Sequence, residues 1–269
     1  MPGTPAPAPA PAAPPATRVV GIDVGGSTIK GYLVDAIRGE VVGDGVRTPA
    51  PGGFRPPVVL DAIAALAEHL GPGLPAGVGF PAVVREGVLL TDPTSHEYPG
   101  WKGLAIEAEL SARLGRPIAV GNDADVAGEA ELRLGAARGA PGTVLVLTLG
   151  TGIGSGLFRD GVLVPNVELG RIYLQGHETV VEDHCAARVR TDLALSWRDW
   201  AARLQDLLDH VERVIAPDLI VIGGAVSAEH EQFLPLLETG CELVPAAFGN
   251  AAGPLGAALL AAARTVPPV

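Results

Sequence analysis

Asp23-Val-Gly-Gly-Ser-Thr-Ile-Lys30 lies between two short apolar runs, and Leu147-Thr-Leu-Gly-Thr-Gly-Ile-Gly-Ser-Gly156 repeats the arrangement further along the chain. Apolar runs flanking a tight glycine turn read as β-hairpins. Around the first turn, strands are expected at 18–23 and 30–35, with a third at 41–48 completing an antiparallel meander. Around the second they are expected at 144–149 and 154–158. Strands and helices follow each hairpin, so the pattern occurs twice, from about residue 18 and again from about residue 143. A weak repeat of this kind predicts two related α/β lobes with a cleft between them. Ligands of open α/β sheets bind at strand ends, which is where both glycine turns fall.

Working outward, residues 49–57 form a Pro/Gly-rich loop and 58–70 carry helical apolar spacing. Short strands are expected at 78–80 and 88–90, a polar loop at 91–102 and a helix at 104–114. A buried strand at 116–121 leads into a helix at 123–138. Beyond the second hairpin, 168–195 shows no clear pattern, 197–215 is a long amphipathic helix, and 218–222 is a strand opening into Gly223 and Gly224. Helices near 229–237 and 254–264 close the chain. The lobes are expected at 18–120 and 121–269, with the last helix able to pack back on the first lobe.

With 269 residues, 48% of them apolar, the chain can bury one large core or two mid-sized ones. No uninterrupted apolar stretch reaches the roughly 18–20 residues of a membrane span. The net charge is −11, and only Lys30 and Lys102 among 19 basic residues are lysines. Such a surface argues against general attraction to nucleic acid or anionic lipid, while leaving room for a local arginine patch. Two distant cysteines, Cys185 and Cys241, fit free thiols in a reducing compartment. Residues 1–17 alternate Pro and Ala without a basic start or a continuous apolar run. They read as an extended, disordered tail rather than a secretory signal, so a cytoplasmic location is expected.

Gly25 and Gly26 let backbone N–H groups approach phosphate oxygens that a Cβ would block, and Ser27 and Thr28 add hydroxyl donors. Asp23 is placed to hold Mg²⁺, directly or through water. An ordinary hairpin turn accounts for the same residues equally well. The second turn, with Thr148, Gly150, Thr151, Gly152 and Gly154, also suits a phosphate cradle, and two matching turns are harder to dismiss than one. No Gly-Lys-Ser/Thr follows, so this is not a Walker A loop. Gly121-Asn122-Asp123-Ala124-Asp125 marks a strand-to-helix junction at which Asn122 is a natural N-cap. Asp123, where the strand end meets the cleft, could accept a proton from a hydroxyl attacking phosphorus. Asp125 is expected in the first helical turn, where its charge suits the helix dipole. Gly223 and Gly224 either receive the flat face of a nucleotide or form a plain βα turn.

These stretches, in this order and spacing, resemble the ROK family of sugar kinases within the hexokinase–actin superfamily, and within it the bacterial polyphosphate/ATP glucokinases. The resemblance is carried by FPAVV from Phe80, NDADVAGEAELRLGAARG from Asn122, LTLGTGIGSGLFRDGVLVPNVELG from Leu147, LSWRDWAARLQDLLDHVE from Leu195 and APDLIVIGGAVS from Ala216. It implies an actin-like ATPase (ribonuclease H-like) fold with two lobes and a central cleft. It also implies phosphoryl transfer from polyphosphate or ATP, with Mg²⁺, to the 6-hydroxyl of glucose or a related hexose. By the same resemblance, the stretch from Asp23 to Lys30 and the one from Leu147 to Gly156 are phosphate loops, and Gly223 and Gly224 belong to the adenosine segment. Asn122, Glu168 and Glu182 would bind sugar, with Asp123 the base. A homodimer and a cytoplasmic location are expected, without nucleic-acid or membrane partners.

The chain departs from the pattern in two places. Arg171 stands where the family usually has histidine, and a guanidinium only donates hydrogen bonds. The asparagine expected before Trp101 is missing, with Glu97 or His96 near its place. These departures motivate the alternatives of another acceptor (mannose, an amino sugar or a cyclitol) or a sugar-binding regulator that has lost catalysis. The cysteine-rich zinc loop of many ROK proteins is absent; His177, Glu182, His184 and Cys185 fit no standard zinc spacing, and no structural zinc is expected. Arg133, Arg138, Arg159 and Arg171 are candidates for a basic track serving a polyanionic donor.

Overall fold

A computed structural model describes residues 18–93 and 98–265. The Pro/Ala tail at 1–17, and Glu97 with His96, lie outside the described residues. In chain order the elements are β1 (Arg18–Val24), β2 (Thr28–Asp35), β3 (Glu40–Pro49), α1 (Pro56–Leu70), β4 (Ala76–Phe80), β5 (Val84–Arg85), β6 (Val88–Leu89), α2 (Ile106–Leu114), β7 (Ile118–Asn122) and α3 (Asp123–Leu134). There follow β8 (Thr143–Leu149), β9 (Ile153–Arg159), β10 (Val162–Val164), α4 (Val181–Cys185), α5 (Ala187–Asp192), α6 (Trp197–Ile215), β11 (Leu219–Gly223), β12 (Glu242–Pro245) and α7 (Ala252–Thr265).

Two five-stranded sheets share one topology. The first runs β3-β2-β1-β4-β7 and the second β10-β9-β8-β11-β12. In each, a hairpin meander supplies three antiparallel strands and two further strands add in parallel. The repeat legible in the glycine turns is therefore a repeat of whole sheets. Alternation along the strands sends successive side chains to opposite faces. On β8, Leu145, Leu147 and Leu149 join one buried cluster, whereas Val144 and Val146 join another. On β1, Val20 and Ile22 face α1 and α2, while Val19 faces the cluster that contains α7.

Helices α3 and α7 thus lie between the two sheets, and their packing needs residues without side chains. A Cβ on Gly21 of β1 would sit 1.8 Å from the Pro254 carbonyl oxygen, and one on Gly256 of α7 would sit 1.6 Å from that of Val126 on α3. The last helix packs on β1, β4 and β7 of the first sheet. On the outer face of the second sheet, α6 buries Trp200, Leu204, Leu207, Leu208 and Val211, each contributing about 1.5–3 kcal/mol of transfer free energy. Ser196 starts this helix by accepting a hydrogen bond from Asp199 N–H at 3.1 Å.

The expected elements differ from the structure in a few places. The helix expected near 229–237 is instead two 3-10 segments, Ala225–Gln232 and Leu234–Leu236. Pro235 lacks an N–H and disfavours helical backbone at the residue before it. The α3 helix stops at Leu134 rather than at 138, because the Glu131 carboxylate accepts the Ala136 N–H that would have continued the ladder. β7 remains in the first sheet as far as Asn122, two residues beyond the expected lobe boundary. The unassigned stretch 168–195 holds a 3-10 turn and the short helices α4 and α5. No helix among the described residues is long and apolar enough to cross a membrane.

Candidate active site

The strand ends of both sheets meet in a cleft of about 340 Å³. The first turn contributes Asp23, Gly25, Gly26, Ser27, Thr28 and Lys30 to its lining, and the second contributes Thr148, Gly150, Thr151, Gly152 and Gly154. Gly223 and Gly224 reach it from the end of β11, and Asn122, Asp123, Glu168 and Glu182 complete the expected set. Two expected residues are not in that lining. Glu97 lies outside the described residues, and Arg171 stands behind Glu182, with Nη1 3.8 Å from Glu182 Oε1.

Asn122 does two things at once. Its Oδ1 caps α3 by accepting from Ala124 N–H at 2.9 Å and Asp125 N–H at 3.0 Å. Its Nδ2 donates to Glu168 Oε1 at 3.1 Å and to the Ala82 carbonyl at 3.2 Å. The cap thereby ties the start of α3 to Glu168, and it places Asp123 at the first helical position facing the cleft.

Burial raises the Asp123 carboxyl to about 7, with smaller contributions from the negative charges of Asp23 and Glu168, while a hydrogen bond from Ala124 N–H opposes the rise. Asp23 is raised by burial too, although Lys30 at 3.5 Å counters it. Glu168 and Glu182 are raised by burial, and Arg171 partly offsets both. Glu182 accepts from Ile153 N–H at 2.9 Å and so braces the second glycine turn from below. Asp23, beside Lys30 and within the field of Asp123, offers a carboxylate oxygen suited to a hard divalent cation.

Asp125 is more than a partner for the helix dipole. It is 4% exposed, it accepts the Asn166 N–H at 2.8 Å, and burial lifts it to about 7. Sequence reasoning also missed the far side of the site. Glu131, 1% exposed, accepts from Ala136, Ala247 and Phe248 N–H and fixes the loop before α7. Asn250 accepts from Lys30 Nζ at 3.5 Å, and Gly253 packs so closely that a Cβ there would lie 2.8 Å from Asp23 Cγ. The only signal was the Gly249-Asn-Ala-Ala-Gly-Pro254 run at the helix start. Of the four arginines expected to form a basic track, three face carboxylates: Arg133 meets Glu129 at 2.7 Å, Arg159 meets Asp160 at 3.1 Å, and Arg171 meets Glu182.

Comparison with known proteins bears on the family and the fold. The polyphosphate glucokinase of Mycobacterium tuberculosis is 39% identical over 246 residues, which cover 91% of each chain. The crystal structure of inorganic polyphosphate/ATP-glucomannokinase from Arthrobacter sp. strain KM superposes with a TM-score of 0.86 at 41% identity, covering 92% of this chain and 99% of that one. A ROK glucokinase from Streptomyces griseus, in complex with glucose and AMPPNP, shares the fold at 23% identity and a TM-score of 0.76, covering 91% and 99%. The fold is therefore the actin-like ATPase fold of two lobes about a cleft. Residues 19–188 match the ROK family, and the chain belongs to it.

Proposed function

We propose that this chain is a hexose kinase that transfers a phosphoryl group from polyphosphate or ATP to the 6-hydroxyl of glucose or a closely related sugar. One observation carries the reading: Asp123, held near pKa 7, shares a single cleft with both glycine turns. A carboxyl with that pKa is about half ionised at neutral pH, so it can accept a hydroxyl proton as the oxygen attacks phosphorus. Glu168, held in place by Asn122, would present its carboxylate as an acceptor to a sugar hydroxyl, while the Asn122 amide, already bonded to Ala124, Asp125, Ala82 and Glu168, would donate to the sugar by exchanging its bond to Glu168. The donor phosphates would lie along the N–H groups of the two turns, with the Lys30 ammonium at their edge. Asp23 would hold Mg²⁺, directly or through water, and the ion would neutralise charge on the donor. Closure of the lobes would exclude water that otherwise hydrolyses the donor.

The names of the relatives support both donors: one is a polyphosphate glucokinase and the other a polyphosphate/ATP-glucomannokinase. A cytoplasmic homodimer is part of the same reading, supported by the family resemblance alone. The test is an acceptor panel of glucose, mannose, glucosamine and a cyclitol, each assayed with ATP and with polyphosphate. Sugar 6-phosphate from glucose or mannose is the expected product. Absence of sugar-dependent transfer with either donor would refute the proposal.

A further inference from the structure

The segment that brings Glu168 to the cleft is fastened residue by residue. Asn166 N–H donates to Asp125 Oδ2 at 2.8 Å, Ser155 Oγ donates to the Val167 carbonyl, and Leu169 N–H donates to Ser155 Oγ at 3.0 Å. Glu168 itself is held by Asn122. The Asn166 side chain makes a different kind of bond, because it reaches the first lobe. Its Oδ1 accepts from Val84 N–H at 2.9 Å and its Nδ2 donates to the Val84 carbonyl at 3.0 Å. A primary amide offers an acceptor and a donor on one edge, so it pairs with a backbone as a neighbouring strand would. Val84, on β5, belongs to the apolar core of the first lobe and lies two residues from Ala82, which also accepts from Asn122.

Two further features mark the position as more than a loop contact. Asn166 has φ 61°, in the left-handed region, which asparagine tolerates better than most non-glycine residues and which turns its side chain toward Val84. Asp125 is buried, yet its Oδ1 has no hydrogen-bond partner among the described residues, so Asn166 N–H is the partner of that carboxyl's other oxygen. Burying a carboxyl for so little hydrogen bonding costs more than it returns in stability. The expense is explained if it fixes the backbone at 166.

We propose that Asn166 is a positioning residue that registers the two lobes at the acceptor end of the cleft, so that Glu168 meets the sugar only when Val84 and α3 are both in place. The inference rests on the kinase reading above. Acceptor hydroxyls tolerate little misplacement relative to the base, whereas the donor phosphates would lie on the two turns, whose link to this segment through Ser155 does not involve the Asn166 amide. Loosening Asn166 therefore acts on the acceptor.

The test is Asn166→Gly. Glycine keeps the N–H that Asp125 binds and adopts φ 61° freely, so it removes the amide clasp alone. Amide hydrogen exchange in segments 82–90 and 165–171 should quicken about tenfold, and KM for the sugar should rise about tenfold, with kcat and the donor KM within about threefold. Unchanged exchange in both segments would overturn the clasp. Quicker exchange with an unchanged sugar KM would overturn the positioning role. Should the glycine variant not fold, Asn166→Ser, which keeps one hydroxyl, should give a smaller rise in sugar KM, and an unchanged KM would again overturn it. If the wild-type chain transferred no phosphate to any hexose, the kinase reading would fail, and the exchange comparison would still decide the clasp.

Discussion

Replacing Asp123 by Asn separates the chemistry of this site from its architecture. The amide is isosteric and removes only the negative charge and the proton-accepting power. A positioned general base contributes about 10²–10⁴-fold to a rate, so kcat for sugar phosphorylation should fall by that range while the donor KM stays near wild type. Stability should move the other way. In the unfolded chain Asp123 ionises near the ordinary 3.8, and in the folded chain near 7. Between those values the folded state holds the extra proton, so wild-type stability declines as pH rises from about 4 to 7, and the full penalty persists above 7. At about 1.4 kcal/mol per pK unit the penalty is at most about 4 kcal/mol, and relaxation and water penetration around the cleft-facing carboxylate reduce it to about 1–2 kcal/mol. The Asn variant should therefore melt at the same or a higher temperature than wild type at pH 8, despite its slow turnover. The wild-type rate should also show an ascending limb near pH 7 that the variant lacks. Sugar 6-phosphate production in a coupled dehydrogenase assay, paired with thermal melts at pH 5 and pH 8, reads all of these. Turnover within tenfold of wild type would refute the base role, and a steep fall in melting temperature at pH 8 would refute the electrostatic reasoning.

Other perturbations test neighbouring parts of the account. Glu131→Gln leaves one of three backbone N–H groups facing an NH₂, so the 246–250 loop should loosen and KM for ATP should rise about five- to tenfold, with polyphosphate less affected. Steady-state kinetics with both donors measures the difference. Gly256→Ala puts a Cβ where the Val126 carbonyl oxygen already lies, so α3 and α7 must separate. The cost of such overpacking should lower the melting temperature by about 5–10 °C, seen by calorimetry. Removal of divalent cations with EDTA should depress transfer at least about a hundredfold, with recovery on adding Mg²⁺; a rate indifferent to EDTA would dismiss the ion at Asp23.

Much of this was legible in the chain because it depends on local pattern. Both hairpins are written in turn chemistry, α6 follows from one apolar stripe, and Asn122 is a cap by residue type and place. Asp123 could be picked out because a strand end and a helix start leave one carboxylate between them. What stayed hidden depends on residues distant in sequence. Lys30 meets Asn250 across 220 positions, and Glu131 serves a loop more than a hundred residues away, so no window of sequence contains either pair. Strands β10 and β12 are three- and four-residue edge strands, whose pairing is set by their neighbours more than by their own propensity. Asp125 looked like a dipole partner because its side chain's burial is decided by the segment around Asn166, 41 residues further along the chain, whose N–H it accepts.

The proposed transfer depends on where a sugar sits relative to one carboxylate. A crystal structure with glucose and a non-hydrolysable ATP analogue measures this directly. The 6-hydroxyl oxygen should lie roughly 2.6–3.2 Å from an Asp123 carboxylate oxygen, with the terminal phosphate between the two glycine turns. A sugar bound with that hydroxyl turned toward solvent, or phosphates resting on a surface remote from either turn, would contradict it.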